Sequence, residues 1–502
     1  MRWNWIIVGA GSAGCVLAAK LSERPESSVL LLEGGPDYSS ASALPPEIRS
    51  GLGPAFSHDW NYGSEPGRLS RSLPLPRARL VGGCSATNAA MALRARPADF
   101  ADWVSTERAQ WSFDEALREY RELEADADVA DEWHGRSGPV PIRRYSARET
   151  LPEHRAFHEA AVRRGFAAVA DHNAPDSAGV GPLPFNVVGG VRQSAALTHL
   201  APARGRRNLT IRPDTLVDRV LFEGRRAVAV TLAGSGETLE GDAVILAAGA
   251  YASPALLLRS GVGPADDLRA FGVGVVVDLP GVGENLADHP LLGLRYDAAA
   301  PADGLPGAQM MLTAVSSEVA GELDLQIFPW TPYAHVDSPS GGVFTIFVAL
   351  MRPLSQGRVR LRSTEPEDAP LIDLGYFTDP ADMPRMLQGA RLAHTLADTV
   401  PLSAFTSRKL SAAAQPSLPD DELERAILAE VATYHHPVGT CRMGLTGDSG
   451  AVVNEAGAVL GLEALFVIDA SIMPAVPSVN TNLTTLMLAQ RCGRWLEEGD
   501  RR

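Results

Sequence analysis

A chain of 502 residues, 45% apolar and 21% charged, exceeds one ordinary domain, so two domains sharing an interface are expected. The formal net charge of −15 argues against a nucleic-acid partner without selecting a substrate. Four scattered cysteines (Cys15, Cys84, Cys441, Cys492) show neither metal-ligand spacing nor a disulfide framework, so no metal is expected and a reducing cytoplasm fits.

In chain order, the apolar run Ile6-Ile7-Val8 is short enough for one buried strand and leads into Gly9-Ala10-Gly11-Ser12-Ala13-Gly14. Val16, Leu17, Ala18 and Leu21 then recur at helical spacing, and a second run, Val29 to Leu32, ends in Glu33. This strand–turn–helix–strand–acid order is what dinucleotide binding requires. Gly9 allows the tight turn, Gly11 lets the backbone approach a pyrophosphate, and Gly14 lets helix and strand pack closely. Free N–H groups at the helix start face phosphates. Glu33, roughly 20 residues on, is placed to accept from ribose hydroxyls. The first strand comes so early that no signal peptide is expected. No apolar stretch reaches the ~20 residues of a spanning helix.

Gly34 to Pro76, rich in Pro, Gly and Ser, reads as a long functional excursion over the surface. Between Arg77 and Asn88, the adjacent Gly82 and Gly83 sit among small polar residues, suited to a flat ligand or to a packed turn. Pro97 to about Asp128 reads as helical, with an amphipathic run from Asp114 to Leu123. Glu153 to Gly165 reads as another helix, and Asn173 to Gly190 as a loop. Leu209-Thr210-Ile211, Leu216 to Phe222 and Ala227 to Leu232 read as strands of a small antiparallel insertion. Ala243 to Gly249 returns as an apolar strand toward the nucleotide, and Ser253-Pro254 is expected to start a helix. Residues 290 to 430 have a different texture and are read as a second domain. It carries strands at Leu323 to Trp330 and Val343 to Met351, and helices over Asp379 to Thr399 and Asp420 to Val431. Leu465 to Asp469 is a short buried strand, and a helix over Thr484 to Leu496 closes the chain.

Two late segments carry the polar groups that chemistry needs. In Tyr434-His435-His436-Pro437-Val438-Gly439-Thr440, a histidine before a proline–glycine turn is held by backbone and can accept a proton near neutrality. In Ser478-Val479-Asn480-Thr481-Asn482, Asn480 offers a donor and an acceptor beside such a base. Spacing alone leaves two readings open: a base–amide pair, or two unrelated loops with His436 in a structural role.

The chain resembles the glucose–methanol–choline (GMC) oxidoreductases along nearly its whole length, in several separate motifs that occur in order. These are Gly9 to Gly14 with Glu33, then Val81-Gly82-Gly83 through Met91. Gly249-Ala250, Ser253-Pro254, Leu256-Leu257 and Ser260 to Gly263 follow. Gly281 to Leu286 with Asp288-His289, and finally His436 to Thr440 with the Asn480 loop, complete the series. The resemblance implies an α/β fold, with a Rossmann-like FAD-binding domain and an interleaved α+β substrate domain on a mostly antiparallel sheet. The implied division is 1–150 for the first part of the FAD-binding domain and 151–190 for a substrate-domain segment. Residues 191–292 would return to the FAD-binding domain, 293–435 would form the substrate domain, and 436–502 the C-terminal part with the catalytic residues.

It implies FAD as cofactor, held by Gly9, Gly11, Ser12, Ala13, Gly14, Glu33, Val81, Gly83, Asn88, Ala89, Ala90, Met91, Val217, Asp469, Ala470 and Thr481. The implied catalytic pair is His436, the base that takes the alcohol proton while hydride leaves for flavin N5, and Asn480, which positions the alkoxide. Some relatives bind FAD covalently through a histidine just before the signature asparagine; Thr87 stands there, so non-covalent FAD is expected. The implied reaction is oxidation of an alcohol, most simply a primary one, to the aldehyde. The partners are a small-molecule alcohol and, as electron acceptor, oxygen or another redox carrier. Phe328, Trp330, Phe344 and Phe347 hint at an aromatic substrate cavity. His435 either contacts substrate or packs, and Cys441 reads as a small buried cysteine. A flavin-containing lyase or photodecarboxylase on the same fold is the alternative. An NAD-dependent dehydrogenase is disfavoured by the signatures.

Overall fold

The computed structural model describes residues 2–101, 103, 109–175, 177–299, 304–317, 322–336, 338–445 and 447–499. The chain opens with β1 (Trp3–Val8), α1 (Ser12–Leu21) and β2 (Val29–Leu32). Unbroken apolar runs form strands only where both faces are covered, and Ile6, Ile7 and all of β2 are buried. Next come α2 (Phe113–Leu123), α3 (Pro152–Arg163), β3 (Gly179–Pro182), β4 (Leu209–Arg212), β5 (Val217–Glu223) and β6 (Arg226–Leu232). They are followed by β7 (Thr238–Leu246), α4 (Gly249–Arg259), β8 (Pro290–Ala299), β9 (Met310–Ala314), β10 (Leu325–Ala334) and β11 (Gly341–Leu350). The chain closes with α5 (Asp382–Ala397), α6 (Asp420–Glu430), β12 (Ala432–Thr433), β13 (Leu465–Val467) and α7 (Asn482–Glu498).

One sheet runs β4-β2-β1-β7, all parallel, with Ile6 beside Leu30 and Val244. The two halves of β7 have different partners. Val244–Leu246 pair in parallel with β13, while Thr238–Glu240 turn antiparallel onto β6, which leads to β5. Helices α1 and α7 pack together against this sheet in one apolar core. The second sheet, β12-β8-β11-β10-β9-β3, is antiparallel throughout and carries α3 and α5 on its back in a second core. Here a glycine is required: a Cβ on Gly389 of α5 would sit 2.7 Å from Val348 of β11. No helix among the described residues is long and apolar enough to cross a membrane.

Four expectations change. Leu209–Arg212 is not part of an antiparallel insertion but the parallel edge strand beside β2; a short apolar run carries no sign of its pairing direction. Gly179–Pro182 is a strand, not a loop, and its proline is tolerated because β3 lies at the sheet edge. The helical reading to Asp128 overruns, since Glu124–Asp126 pairs as a strand with Val140–Ile142; residues 102 and 104–108 of that reading lie outside the described residues. Helix α4 begins at Gly249, so Pro254 sits inside it. A proline cannot donate to the carbonyl four residues back, here that of Ala250. The Thr440 hydroxyl donates to that carbonyl instead, at 2.6 Å.

Candidate functional site

A continuous cavity of about 1120 Å³ runs between the two sheets, from Glu33 at one end to His436 and Asn480 at the other. That exceeds the ~300–1,000 Å³ of ordinary small-molecule sites, as a dinucleotide with a second ligand would need.

At the first end, Gly9 takes φ +99°, where a Cβ would strike Ala247 O at 2.6 Å. A Cβ on Gly11 would come no closer than 4.0 Å to anything, so bare backbone faces the cavity. Gly11 caps α1 without a side chain, and Gly11, Ser12 and Ala13 line the cavity where the helix presents its unpaired N–H groups. Glu33 accepts from the N–H of Ala10 and of Gly35, both at 3.0 Å, and burial pushes its carboxyl up to about 7. Its remaining lone pairs can accept from hydroxyl groups. Val217, Gly83, Asn88, Ala89, Met91, Asp469, Ala470 and Thr481 also reach the cavity. Both oxygens of Asp469 are engaged within the chain: Oδ2 accepts from the Gly249 N–H and the Ser253 hydroxyl, and Oδ1 from the Ser471 N–H.

Gly14, Val81 and Ala90 lie behind the wall. A Cβ on Gly14 would meet Gly9 O at 1.9 Å, so this glycine permits the close packing of α1 on the turn. Val81 is buried, its N–H donating to Pro36 O. Ala90, fully buried at φ +56°, donates its N–H to Asn88 Oδ1.

At the other end two loops converge. The segment 433–439 runs antiparallel to 287–289: Val438 and Ala287 exchange both backbone hydrogen bonds, and the Tyr434 N–H donates to His289 O. Asp288 receives the N–H of His436 at 2.7 Å, along with the Thr433 and Tyr376 hydroxyls. His435 stands at φ +65°, a costly conformation for a residue with a Cβ. Its N–H donates to Thr433 Oγ1, and Arg77 donates through Nη1 and Nη2 to its carbonyl. The Asn480 loop is tied down by Asp99, which accepts the N–H and the hydroxyl of Ser478.

Asn480 Nδ2 thereby lies 3.2 Å from His436 Nε2, while Asn480 Oδ1 is buried without a partner. Burial, reinforced by His289, His435 and Arg77, pushes His436 well below the usual histidine range, so its ring is neutral. His435 also lines the cavity, its Nδ1 unpartnered and its pKa pushed down to about 3 by burial. Thr87 and Cys84 face the cavity; Cys441 does not.

Leu291, Phe328, Trp330, Phe347 and Tyr434 wall the His436 end. Phe328 stacks on Tyr434 at 5.6 Å, and Trp330 meets Phe347 edge-on. Phe344 points to the opposite face, against Tyr296 and Phe405. The period-2 rule separates 344 from 347 and joins 328 to 330, and applied to the strands it would have made that division in advance. Trp60, Tyr251 and Arg77 also line the cavity and carry no periodic signal in a loop or a helix start. A Cβ on Gly34 would come within 2.8 Å of Trp60, so the turn after Glu33 seats that indole.

Residues 3–291 and 353–489 match two family models, each described as GMC oxidoreductase. The chain is 36% identical over 522 residues to the 5-(hydroxymethyl)furfural oxidase of Methylovorus sp. (strain MP688), covering 97% of each chain. It is 34% identical over 531 residues to the oxygen-dependent choline dehydrogenase of Pectobacterium carotovorum subsp. carotovorum (strain PC1), covering 98% of this chain and 94% of the relative. Among solved structures, pyridoxine 4-oxidase from Mesorbium loti superposes with a TM-score of 0.91 at 34% identity, covering 99% of each chain.

Proposed function

The chain belongs to the GMC oxidoreductase family, and from that premise we propose that it oxidises a primary alcohol to the aldehyde. Relatives in this family are named as an oxidase of 5-(hydroxymethyl)furfural, a choline dehydrogenase and a pyridoxine 4-oxidase, and FAD, the family's cofactor, would supply the acceptor for the hydride. The glycine backbone from Gly9 to Ala13 would seat the pyrophosphate. Glu33 would hold the ribose, with Val217 at the adenosine end. Gly83, Asn88, Ala89, Met91, Ala470 and Thr481 would line the rest of the cofactor's length. Gly14, Val81, Ala90 and Asp469 would shape that cradle from within the chain. Thr87, facing the cavity, offers no imidazole for a covalent link, which supports dissociable FAD.

One observation carries the catalytic reading: a neutral imidazole presents its Nε2 lone pair 3.2 Å from an amide N–H, inside an aromatic chamber. An alcohol oxygen set against both groups donates its hydrogen to His436 Nε2 and accepts from Asn480 Nδ2. As the proton leaves, negative charge grows on the oxygen next to a preplaced donor. The aromatic walls favour a flat, uncharged substituent on the carbinol carbon, and the half-buried Arg77 guanidinium that lines the cavity disfavours a cationic one. Oxygen or another redox carrier takes the electrons; the names of the relatives support oxygen.

His436→Asn tests the pair. The variant is expected to purify with the parent's flavin content and to lose turnover of 5-(hydroxymethyl)furfural by roughly 10²–10⁴-fold, the usual worth of a positioned base. Parent-like turnover would remove His436 from the chemistry.

A further inference from the structure

We propose that His289 is a positioning residue that decides which ring nitrogen of His436 is bare. The proposal rests on His436 being the base. His289 Nδ1 lies 3.0 Å from His436 Nδ1, and the rings meet edge-to-face at 82°. Two nitrogens at that distance share one hydrogen. The amide nitrogen of Asn480 can only donate, so His436 Nε2, its neighbour at 3.2 Å, is an acceptor and bare. The single hydrogen of the neutral His436 ring is therefore on Nδ1 and is given to His289 Nδ1.

His289 must then carry its own hydrogen on Nε2. The ring is fully buried, and burial pushes its pKa down to about 3, so it stays neutral and can hold only one hydrogen. The backbone carbonyls of Met351 and Pro477 lie close enough to counter that shift, yet Nε2 closes no full hydrogen bond with either. A carbonyl does not take a proton onward at neutral pH. The row Asn480–His436–His289 thus fixes a tautomer and is not a proton wire: the alcohol proton arrives at His436 Nε2 and stays there until an external group removes it.

The chemistry of this partner sets it apart from a carboxylate. A neutral imidazole orients His436 without offering an anion to the imidazolium that forms, so the base stays weakly basic and uncharged before each turnover. The groups around the pair agree. From segment 287–289, Asp288 is directed at backbone N–H groups and hydroxyls, not at either ring. From segment 433–436 come His435 and Tyr434; from the loops come the Arg77 cation and the Tyr376 hydroxyl. Among the described residues, no carboxylate is hydrogen-bonded to either ring.

The test uses holoenzyme labelled with ¹⁵N-histidine, the parent beside His289→Leu, His289→Gln, His289→Asp and His436→Asn. The His436 resonances, identified by their loss in His436→Asn, should show hydrogen on Nδ1 and a bare Nε2 in the parent. That pattern should persist in His289→Gln, whose side-chain oxygen can accept, and be lost in His289→Leu. In turnover of 5-(hydroxymethyl)furfural, His289→Leu should lower kcat roughly 10–100-fold, by analogy with loss of the hydrogen-bond partner of a metal-ligating histidine, with KM nearly unchanged. His289→Asp should move the acid limb of the kcat profile to higher pH. A parent with hydrogen on Nε2 overturns the proposal, as does an unchanged His436 tautomer in His289→Leu or an unmoved acid limb in His289→Asp. If His436→Asn itself turns over like the parent, the failure belongs to the base assignment instead.

Discussion

Asp288 takes up four donors on two oxygens: the N–H groups of His289 and His436 and the hydroxyls of Thr433 and Tyr376. Burial pushes its carboxyl up, while these donors and Arg77 hold it down. Asp288→Asn keeps one oxygen for the two backbone N–H groups but sets an amide N–H against the Thr433 and Tyr376 hydroxyls, which must then accept and turn their own hydrogens away. The expected cost is roughly 1–3 kcal/mol for each donor left unpaired, read as a lowered denaturation midpoint with turnover reduced alongside. A variant as stable and active as the parent would show that the two segments are held by their backbone pairing alone. The sequence made part of this legible. Asp288-His289 stood in one motif and His436 in another, but nothing in a linear pattern says that rings 147 positions apart share a hydrogen. Asn480 and His436 were singled out by the family resemblance, since their residue types and flanking turns alone left a structural reading open, and their 3.2 Å approach is visible only in the fold. Trp60 and Arg77 were not, because loop residues carry no periodic signal.

Helix α4 shows the same contrast at the scale of an element. Pro254 suggested a helix start, yet the helix begins five residues earlier because Thr440 satisfies the carbonyl the proline leaves unpaired. Thr440→Val should therefore cost roughly 1–3 kcal/mol, the penalty of an orphaned buried acceptor, measurable by thermal melting. A neutral outcome would mean that another donor reaches Ala250. The glycine turn makes a second element-scale prediction. A Cβ on Gly83 would meet Gly11 Cα at 2.6 Å, at φ +50°. Gly83→Ala should purify with markedly less flavin, since the two backbones that would seat the cofactor cannot both keep their places; full flavin content would refute this. Here the glycine pattern was legible because close backbone approach needs the residue type itself. By contrast, the strand at Gly179–Pro182 was not, because its glycine and proline resemble a loop until the neighbouring strand is present.

The whole molecule should be acid-sensitive. Burial holds His154, His172, His199, His289, His394, His435 and His436 below the usual histidine range. Below about pH 6.5 the unfolded chain protonates these rings and the folded chain does not. Each therefore removes up to ~1.4 kcal/mol of stability per pH unit, until pH falls through its folded pKa. Glu33, Glu124, Glu153 and Asp288, raised by burial, and His134, raised by Asp171 and Asp131, act in the opposite sense. The rings outnumber them, so the denaturation midpoint should be lower at pH 5.5 than at pH 7.5; the reverse order would show that the carboxylates dominate. The most direct test of alcohol oxidation at the His436 end is the visible flavin spectrum of the purified protein, mixed anaerobically with 5-(hydroxymethyl)furfural, benzyl alcohol and choline. The two neutral aromatic alcohols should bleach the flavin, and choline should do so far more slowly. A flavin that stays oxidised with both aromatic alcohols would contradict alcohol oxidation at that end.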